Sequence, residues 1–182
     1  MRFAPITDVI MTVRSLPEEA VPFLARWLSD PRVLEFYEGR DNPHDEARVR
    51  RVFFDEKEEY ISPCLVEYGG TPIGYIQFYP IEPETRVEYG YPEDETIYGL
   101  DQFIGEPEYW NRGVGTQLVK LMVSYLFRER GAQRVVLDPE TWNLRAIRVY
   151  EKCGFRKVKL LPEHEWHEGK MRDSWLMEVL PE

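Results

Sequence analysis

Two short stretches of this 182-residue chain bring together residue types at spacings that can do chemistry. The first is Tyr109-Trp110-Asn111-Arg112-Gly113-Val114-Gly115-Thr116, with two glycines one residue apart just ahead of a helical pattern. Such glycines let the amides of Asn111, Arg112, Gly113, Val114, Gly115 and Thr116 point at one place. The helix start adds partial positive charge and Arg112 a full one, so the loop suits a pyrophosphate. A strand-to-helix turn also needs glycine for its own geometry, and the loop alone leaves both readings open. It has neither the third glycine of a dinucleotide fingerprint nor the Lys-Ser/Thr of a nucleotide P-loop, and fits neither.

The second stretch is Asn143-Leu-Arg-Ala146-Ile-Arg-Val-Tyr150-Glu-Lys-Cys-Gly154-Phe155. On a helix starting near Asn143, residues 143, 146 and 150 share a face. Asn143 can cap that helix or donate to an amide-bearing ligand. Tyr150 can be a core aromatic or give a proton to a leaving group.

The elements that must position these residues follow from pattern and punctuation. A strand is expected at Ile10–Leu16, then a helix opened by Pro17 with Val21, Leu24, Trp27 and Leu28 as its buried stripe, ended at Asp30-Pro31. A second helix is expected from about His44 to Tyr60, with Val49, Val52 and Phe53 inward. Strands Cys64–Tyr68 and Thr71–Tyr79 flank Gly69-Gly70 as a hairpin. Glu82–Glu95, with six acids against Arg86, reads as a loop or irregular hairpin, and Ile97–Ile104 as a strand carrying Asp101 in its middle. Gly113–Arg130 is the next helix, Arg134–Leu137 a short strand, and Asn143–Cys153 a helix closed by Gly154 in the left-handed cap position. Phe155–Leu161 and Asp173–Leu180 are the last strands, giving α/β (α+β) architecture around one mixed sheet. No repeat or low-complexity linker divides it, so a single domain over residues 1–182 is expected.

Composition bounds the partners. Acids outnumber bases 33 to 23, for a formal charge of −10, which repels phosphate backbones and argues against nucleic acid and for a cationic ligand. Cys64 and Cys153 match no metal spacing. His164 and His167 stand three apart among acids in Glu163-His164-Glu165-Trp166-His167-Glu168-Gly169, yet no third ligand is suggested, and the segment reads as the tip joining the last two strands. No metal is expected. No stretch is long and apolar enough to cross a bilayer and the N-terminus does not read as a secretion signal, so no membrane partner and a cytoplasmic location are expected.

Together, the glycine loop, a helix, a strand and then N-x-x-A-x-x-x-Y-x-x-x-G-F resemble the acetyl-CoA-binding half of the GNAT superfamily of N-acetyltransferases. The family loop is Q/R-x-x-G-x-G/A. Gly113 and Gly115 fit its glycines, while Trp110 stands at the Gln/Arg position. Within that superfamily, Tyr98-Gly-Leu-Asp101-Gln-Phe-Ile-Gly-Glu-Pro107, Pro72-Ile-Gly-Tyr-Ile-Gln77, Leu137-Asp138-Pro139, Arg145-Ala-Ile-Arg148 and Leu161-Pro-Glu-His-Glu165 look like the aminoglycoside 6'-N-acetyltransferases. The resemblance implies the GNAT fold, a central mixed, mostly antiparallel sheet flanked by helices, with an acetyl-CoA-binding core at about 97–157. It implies transfer of acetyl from acetyl-CoA to a primary amine of a polycationic aminosugar, in a resistance enzyme acting as monomer or homodimer.

The same resemblance assigns roles. The pantetheine arm would pair along the strand carrying Asp101–Ile104, with a backbone N–H near Phe103 polarising the thioester carbonyl and Ile104 beside it. Asn111–Thr116 would hold the pyrophosphate, Asn143 and Ala146 the pantetheine arm, and Tyr150 would be general acid for the thiolate. Asp101 would accept the ammonium proton or anchor the ammonium by charge. Asp138 and Asp173 sit where the family places acceptor-binding carboxylates, and Gln77 would bond sugar hydroxyls. Glu163, Glu165 and the Glu93-Asp94-Glu95 cluster are further acids, the last reading as solvated surface. Tyr37, Trp142 and Trp166 either line the sugars or pack. Two other readings share the cofactor motifs: a GNAT enzyme for another amine (a polyamine, a siderophore precursor, a protein N-terminus), and a non-catalytic acetyl-CoA-binding module.

Overall fold

The computed structural model describes residues 3–181. Its strands are β1 (Ile6–Thr7), β2 (Met11–Ser15), β3 (Ser62–Tyr68), β4 (Thr71–Pro80), β5 (Ile97–Ile104), β6 (Arg134–Leu137), β7 (Arg156–His167) and β8 (Lys170–Val179). Its helices are α1 (Val21–Trp27), α2 (Pro31–Leu34), α3 (Glu46–Arg50), α4 (Pro83–Tyr89), α5 (Val114–Glu129) and α6 (Leu144–Lys152). The strands form one sheet in the order β1-β2-β3-β4-β5-β6-β8-β7. The β5–β6 pair runs parallel, while β1–β2, β2–β3, β6–β8 and β7–β8 run antiparallel. Among the described residues no helix is long and apolar enough to cross a membrane.

By contact the chain divides into two compact units: one runs through Gln77 and resumes at Asp101–Gly115, and the other holds Phe78–Leu100 and the chain from Thr116 on. In the first, the expected stripe of Val21, Leu24, Trp27 and Leu28 is buried together with Val49, Phe53, Leu65, Tyr75 and Phe103. Each large side chain buried this way contributes roughly 1.5–3 kcal/mol. The second unit has a core of Ile81, Tyr89, Ile97, Val136, Leu161 and Leu176.

Several elements differ from the expectations. The helix expected over residues 44–60 is shorter: Asp45 caps α3 through a 2.8 Å bond from the Arg48 amide, and the chain widens into a π turn at Arg51–Asp55. Asp30-Pro31 does not end α1, which stops at Trp27; Asp30 instead caps α2 by accepting from the Arg32 amide at 2.9 Å. The acid-rich segment after β4 is not wholly loop. It contains α4, with Pro83 in its first turn, Glu84 at its positive end and Gly90 at φ +81° in the left-handed cap. The last two strands run on past Leu161 to a tip at Glu168-Gly169, so residues 163–167 belong to β7 rather than to the connection. Gly154 is left-handed, at φ +90°.

Candidate active site

On β4, Tyr75 and Gln77 share a face because strand side chains alternate, and on β5 Asp101 and Phe103 do the same. The Tyr75 and Phe103 rings stack with centroids 5.7 Å apart, and Gln77 Nε2 donates to Asp101 Oδ2 at 2.8 Å. The two pairs step in opposite directions along their strands, as antiparallel neighbours must. Gln77 Oε1 in turn accepts from the Tyr75 hydroxyl at 2.7 Å. Burial drives the Tyr75 phenol well above its usual pKa, with the charges of Cys64, Asp101 and Glu38 adding to it, so it stays a donor. That fixes which end of the Gln77 amide faces Asp101. Gln77, expected to meet sugar hydroxyls, therefore serves Asp101 with one end and Tyr75 with the other. Tyr75 was not singled out in the sequence, where it reads as a strand aromatic.

Phe103 is anchored by rings on three sides, with Tyr37 at 4.6 Å, Tyr75 at 5.7 Å and Trp27 edge-on at 6.1 Å. Tyr37 thus packs against the strand that carries Asp101. Beyond Asp101, β4 and β5 close up at Gly74. A Cβ there would stand well inside van der Waals contact distance of the Phe103 carbonyl oxygen and 3.1 Å from Ile104 Cα. Trp110, standing at the family's Gln/Arg position, donates its indole N–H to the Ile104 carbonyl at 2.8 Å. It ties the glycine loop to the end of β5. Trp27 and Arg26 both bond Glu106, the indole at 2.8 Å, holding the turn that follows.

The pairing of β5 with β6 covers Ile97–Gly99 only. Among the described residues, Leu100–Ile104 take no partner from β6. This stretch, with Asp101, Phe103 and Ile104, has an edge on which an extended ligand can pair as a strand would. Downstream, Asn111 and Gly113 are left-handed at φ +57° and +81°. Nothing lies within 4 Å of where a Gly113 Cβ would be, and α5 begins at the next residue. The first amides of a helix have no partner within it, so Val114, Gly115 and Thr116 present donors beside an open backbone face. Arg112 is exposed and bonds the Glu108 carbonyl at 3.2 Å.

In the second unit, the Cys153 thiol donates to the Thr116 carbonyl at 3.6 Å, bringing the end of α6 to the first turn of α5. Tyr150 stands three residues before Cys153 and so on the same face of α6. It is half-buried, with its ring 6.0 Å from Phe155. Asn143 caps α6: its Oδ1 accepts from the Ala146 amide at 3.1 Å. Capping uses only the amide oxygen, so the two readings of Asn143 are compatible, with Nδ2 as the donor.

Asp138 and Asp173 are both engaged by protein groups. Asp138 Oδ2 takes bonds from Tyr89 Oη at 3.0 Å and His164 Nε2 at 2.8 Å. Asp173 Oδ1 accepts the Glu163 amide at 2.9 Å, holding a bulge in β7. His164 and His167 face different carboxylates: His167 Nδ1 lies 3.0 Å from Glu140 Oε1, and Trp142 bonds the other Glu140 oxygen. Trp166 is exposed; Glu95 pairs with Arg134 at 3.0 Å, and Glu93 and Asp94 are exposed.

Residues 16–162 match the acetyltransferase (GNAT) domain. The chain belongs to the GNAT acetyltransferase family. An aminoglycoside N(6')-acetyltransferase type 1 of Klebsiella pneumoniae is 31 % identical over 152 residues, spanning 81 % of this chain and 74 % of its own. The structure of AAC(6')-Ib with ribostamycin and coenzyme A superposes with a TM-score of 0.75 at 27 % identity, over 94 % of this chain and 93 % of that one. Spermidine N-acetyltransferase of Vibrio cholerae, solved with CoA and spermine, shares the fold at a TM-score of 0.73 and 19 % identity, over 95 % of this chain and 96 % of its own.

As a GNAT enzyme the protein uses acetyl-CoA, and the residues present fit it. The open backbone face at Gly113, the first-turn amides of α5 and the stretch of β5 beyond its pairing with β6 offer donors of the kind a pyrophosphate and an amide-bearing arm need. The Trp110 substitution removes a polar side chain from the loop and leaves those backbone donors in place.

Proposed function

We propose that this GNAT enzyme acetylates the 6'-amine of an aminoglycoside, by direct attack in a ternary complex, and so confers resistance to it. The observation that carries the reading is the Asp101 carboxylate held by Gln77 on β5, in a chain of charge −10 that resembles 6'-acetyltransferases. Acetyl-CoA supplies the activated acetyl group. The protein's own task is then to hold a polycation, take a proton from one of its ammonium groups and give one to the departing sulfur.

Asp101 Oδ1 or Oδ2 receives the ammonium proton, directly or through a water, or holds the ammonium by charge while solvent removes it. The Phe103 amide polarises the acetyl carbonyl, within a strand that the ring cluster keeps rigid. Tyr150 Oη donates to the sulfur. Its contribution is modest, because a thiolate is already a fair leaving group. Asp138 takes a second ammonium group of the acceptor, and Asp173 holds the bulge beside it. The enzyme works in the cytoplasm, where acetyl-CoA is made.

The test follows thiol release from acetyl-CoA with kanamycin, tobramycin, spermidine and lysine as separate acceptors. Rapid release with the two aminoglycosides supports the proposal. Release with spermidine or lysine alone keeps the GNAT chemistry and defeats the antibiotic claim.

A further inference from the structure

His164 stands between carboxylates from two other elements. Its Nε2 is 2.8 Å from Asp138 Oδ2, and its Nδ1 is 3.3 Å from Glu88 Oε1 on α4. The ring hydrogen-bonds Asp138 and meets Glu88 as a charge contact, and two flanking carboxylates favour the imidazolium. The arrangement is built rather than incidental. Glu163 is left-handed at φ +47°, its amide is held by Asp173, and the β7–β8 register shifts between Leu161 and Glu165, which re-aims His164 out of the strand pattern. From α4, Tyr89 bonds the same Asp138 oxygen at 3.0 Å and its ring lies 6.3 Å from the imidazole. Lys159 Nζ bonds the Glu88 carbonyl at 2.5 Å. Asp138, Glu88, Tyr89, Glu165 and Lys159 are thus the titratable groups around the ring. The bond to Asp138, opposed by burial and aided by the charges of Asp138, Glu88 and Glu165, raises the imidazole's pKa.

We infer that His164 is an internal counter-cation on the acceptor carboxylate Asp138, which a polycationic acceptor takes over with one of its ammonium groups, releasing the His164 Nε2 proton to solvent. The inference rests on the reading of Asp138 as an acceptor carboxylate. The charge balances, because one ammonium replaces one imidazolium proton. The neutral ring keeps its proton on Nδ1, the side that faces Glu88, and its bare Nε2 accepts a hydrogen bond from the incoming ammonium. Acceptor affinity then falls as pH drops below the His164 pKa, by at most about tenfold per pH unit for one exchanged proton.

The experiment is calorimetry of the coenzyme A complex with kanamycin and, separately, spermidine, near about pH 6.5, in two buffers of different ionisation enthalpy. Wild type is expected to release about one more proton per acceptor bound than His164→Gln. Because the variant could fold poorly, imidazole NMR of the wild type supplies a second reading: of the three histidines, only the His164 signal should move from the charged to the neutral position on acceptor binding. Binding with equal proton release in both proteins, or an imidazolium that stays charged in the complex, overturns the inference. Thiol release with kanamycin but no proton linkage would sink this inference alone. Linkage with spermidine and no kanamycin turnover would sink the antibiotic reading alone. Binding of neither polycation sinks both.

Discussion

Gln77 Nε2 lies 2.8 Å from Asp101 Oδ2, and the buried Tyr75 hydroxyl decides that it is the NH2 end of the amide that faces the carboxylate. A hydrogen bond to a charged group contributes about 1.5–3 kcal/mol. Gln77→Ala is therefore expected to lower kcat/KM by roughly 10- to 100-fold. Tyr75→Phe keeps both ring contacts and loses only the hydroxyl, so its loss should be smaller, about fivefold. Steady-state kinetics of the two variants test this. An equal, near-wild-type rate for both would remove the relay from the account.

Asp101→Asn keeps the Gln77 contact and removes the charge. Turnover should fall by about 100-fold or more with an unchanged melting temperature. Activity close to wild type would take Asp101 out of proton transfer and anchoring alike.

Asn143 caps α6, and two substitutions separate that cap from the cofactor contact proposed for its amide. Asn143→Ala should cost about 1 kcal/mol of stability through the lost α6 cap and also raise the KM for acetyl-CoA. Asn143→Asp keeps a cap oxygen and loses the amide donor. It should melt like wild type and still show the raised KM, read from thermal melts and initial rates together.

Away from the site, Glu178 is a buried carboxylate shared by Arg134, by Arg156 at 2.7 Å and by the Tyr91 hydroxyl at 2.8 Å. Burial opposes its ionisation, but the bonds from Arg156, Tyr91 and Arg134 outweigh it and hold its pKa below the ordinary 4.5. A lowered folded-state pKa means that this stabilisation is present above the unfolded value and is lost as pH falls through the folded one. Glu178→Ala removes one of the two carboxylates that Arg134 meets, leaving Glu95, and should cost about 1.5–3 kcal/mol. Denaturant titrations from neutral pH downward should show wild-type stability declining below the ordinary carboxyl range, with a shallower decline in the variant.

Gly74→Ala would force a Cβ onto the Phe103 carbonyl, which is backbone and cannot swing aside. The expected outcome is a loss of about 1–3 kcal/mol and weaker acetyl-CoA binding, since the strain falls on the strand expected to pair with its arm. Thermal melts with and without coenzyme A measure both effects.

What the sequence made legible, and what it did not, follows from range. β5, β6 and the β3–β4 hairpin stand out because short apolar runs are punctuated by glycine and proline. α4 is hidden because its two apolar residues, Val87 and Tyr89, make no helical stripe; Pro83, Glu84 and Gly90 were the helix signals present, and only Tyr89 of that helix is buried. The end of β7 is hidden because its pairing with β8 is a matter of register, with mostly exposed side chains. Among site residues, Asp101, Asn143 and the glycine loop carry local signatures. Gln77 with Asp101 and His164 with Asp138 meet across 24 and 26 residues, and only strand pairing and the Glu163 bulge bring them together.

The central claim is tested most directly by the product. Kanamycin incubated with the wild-type enzyme and acetyl-CoA should gain a single acetyl group, and NMR should place it on the 6'-nitrogen. Acetylation at another amine of the sugar, or unmodified kanamycin beside acetylated spermidine, would contradict it.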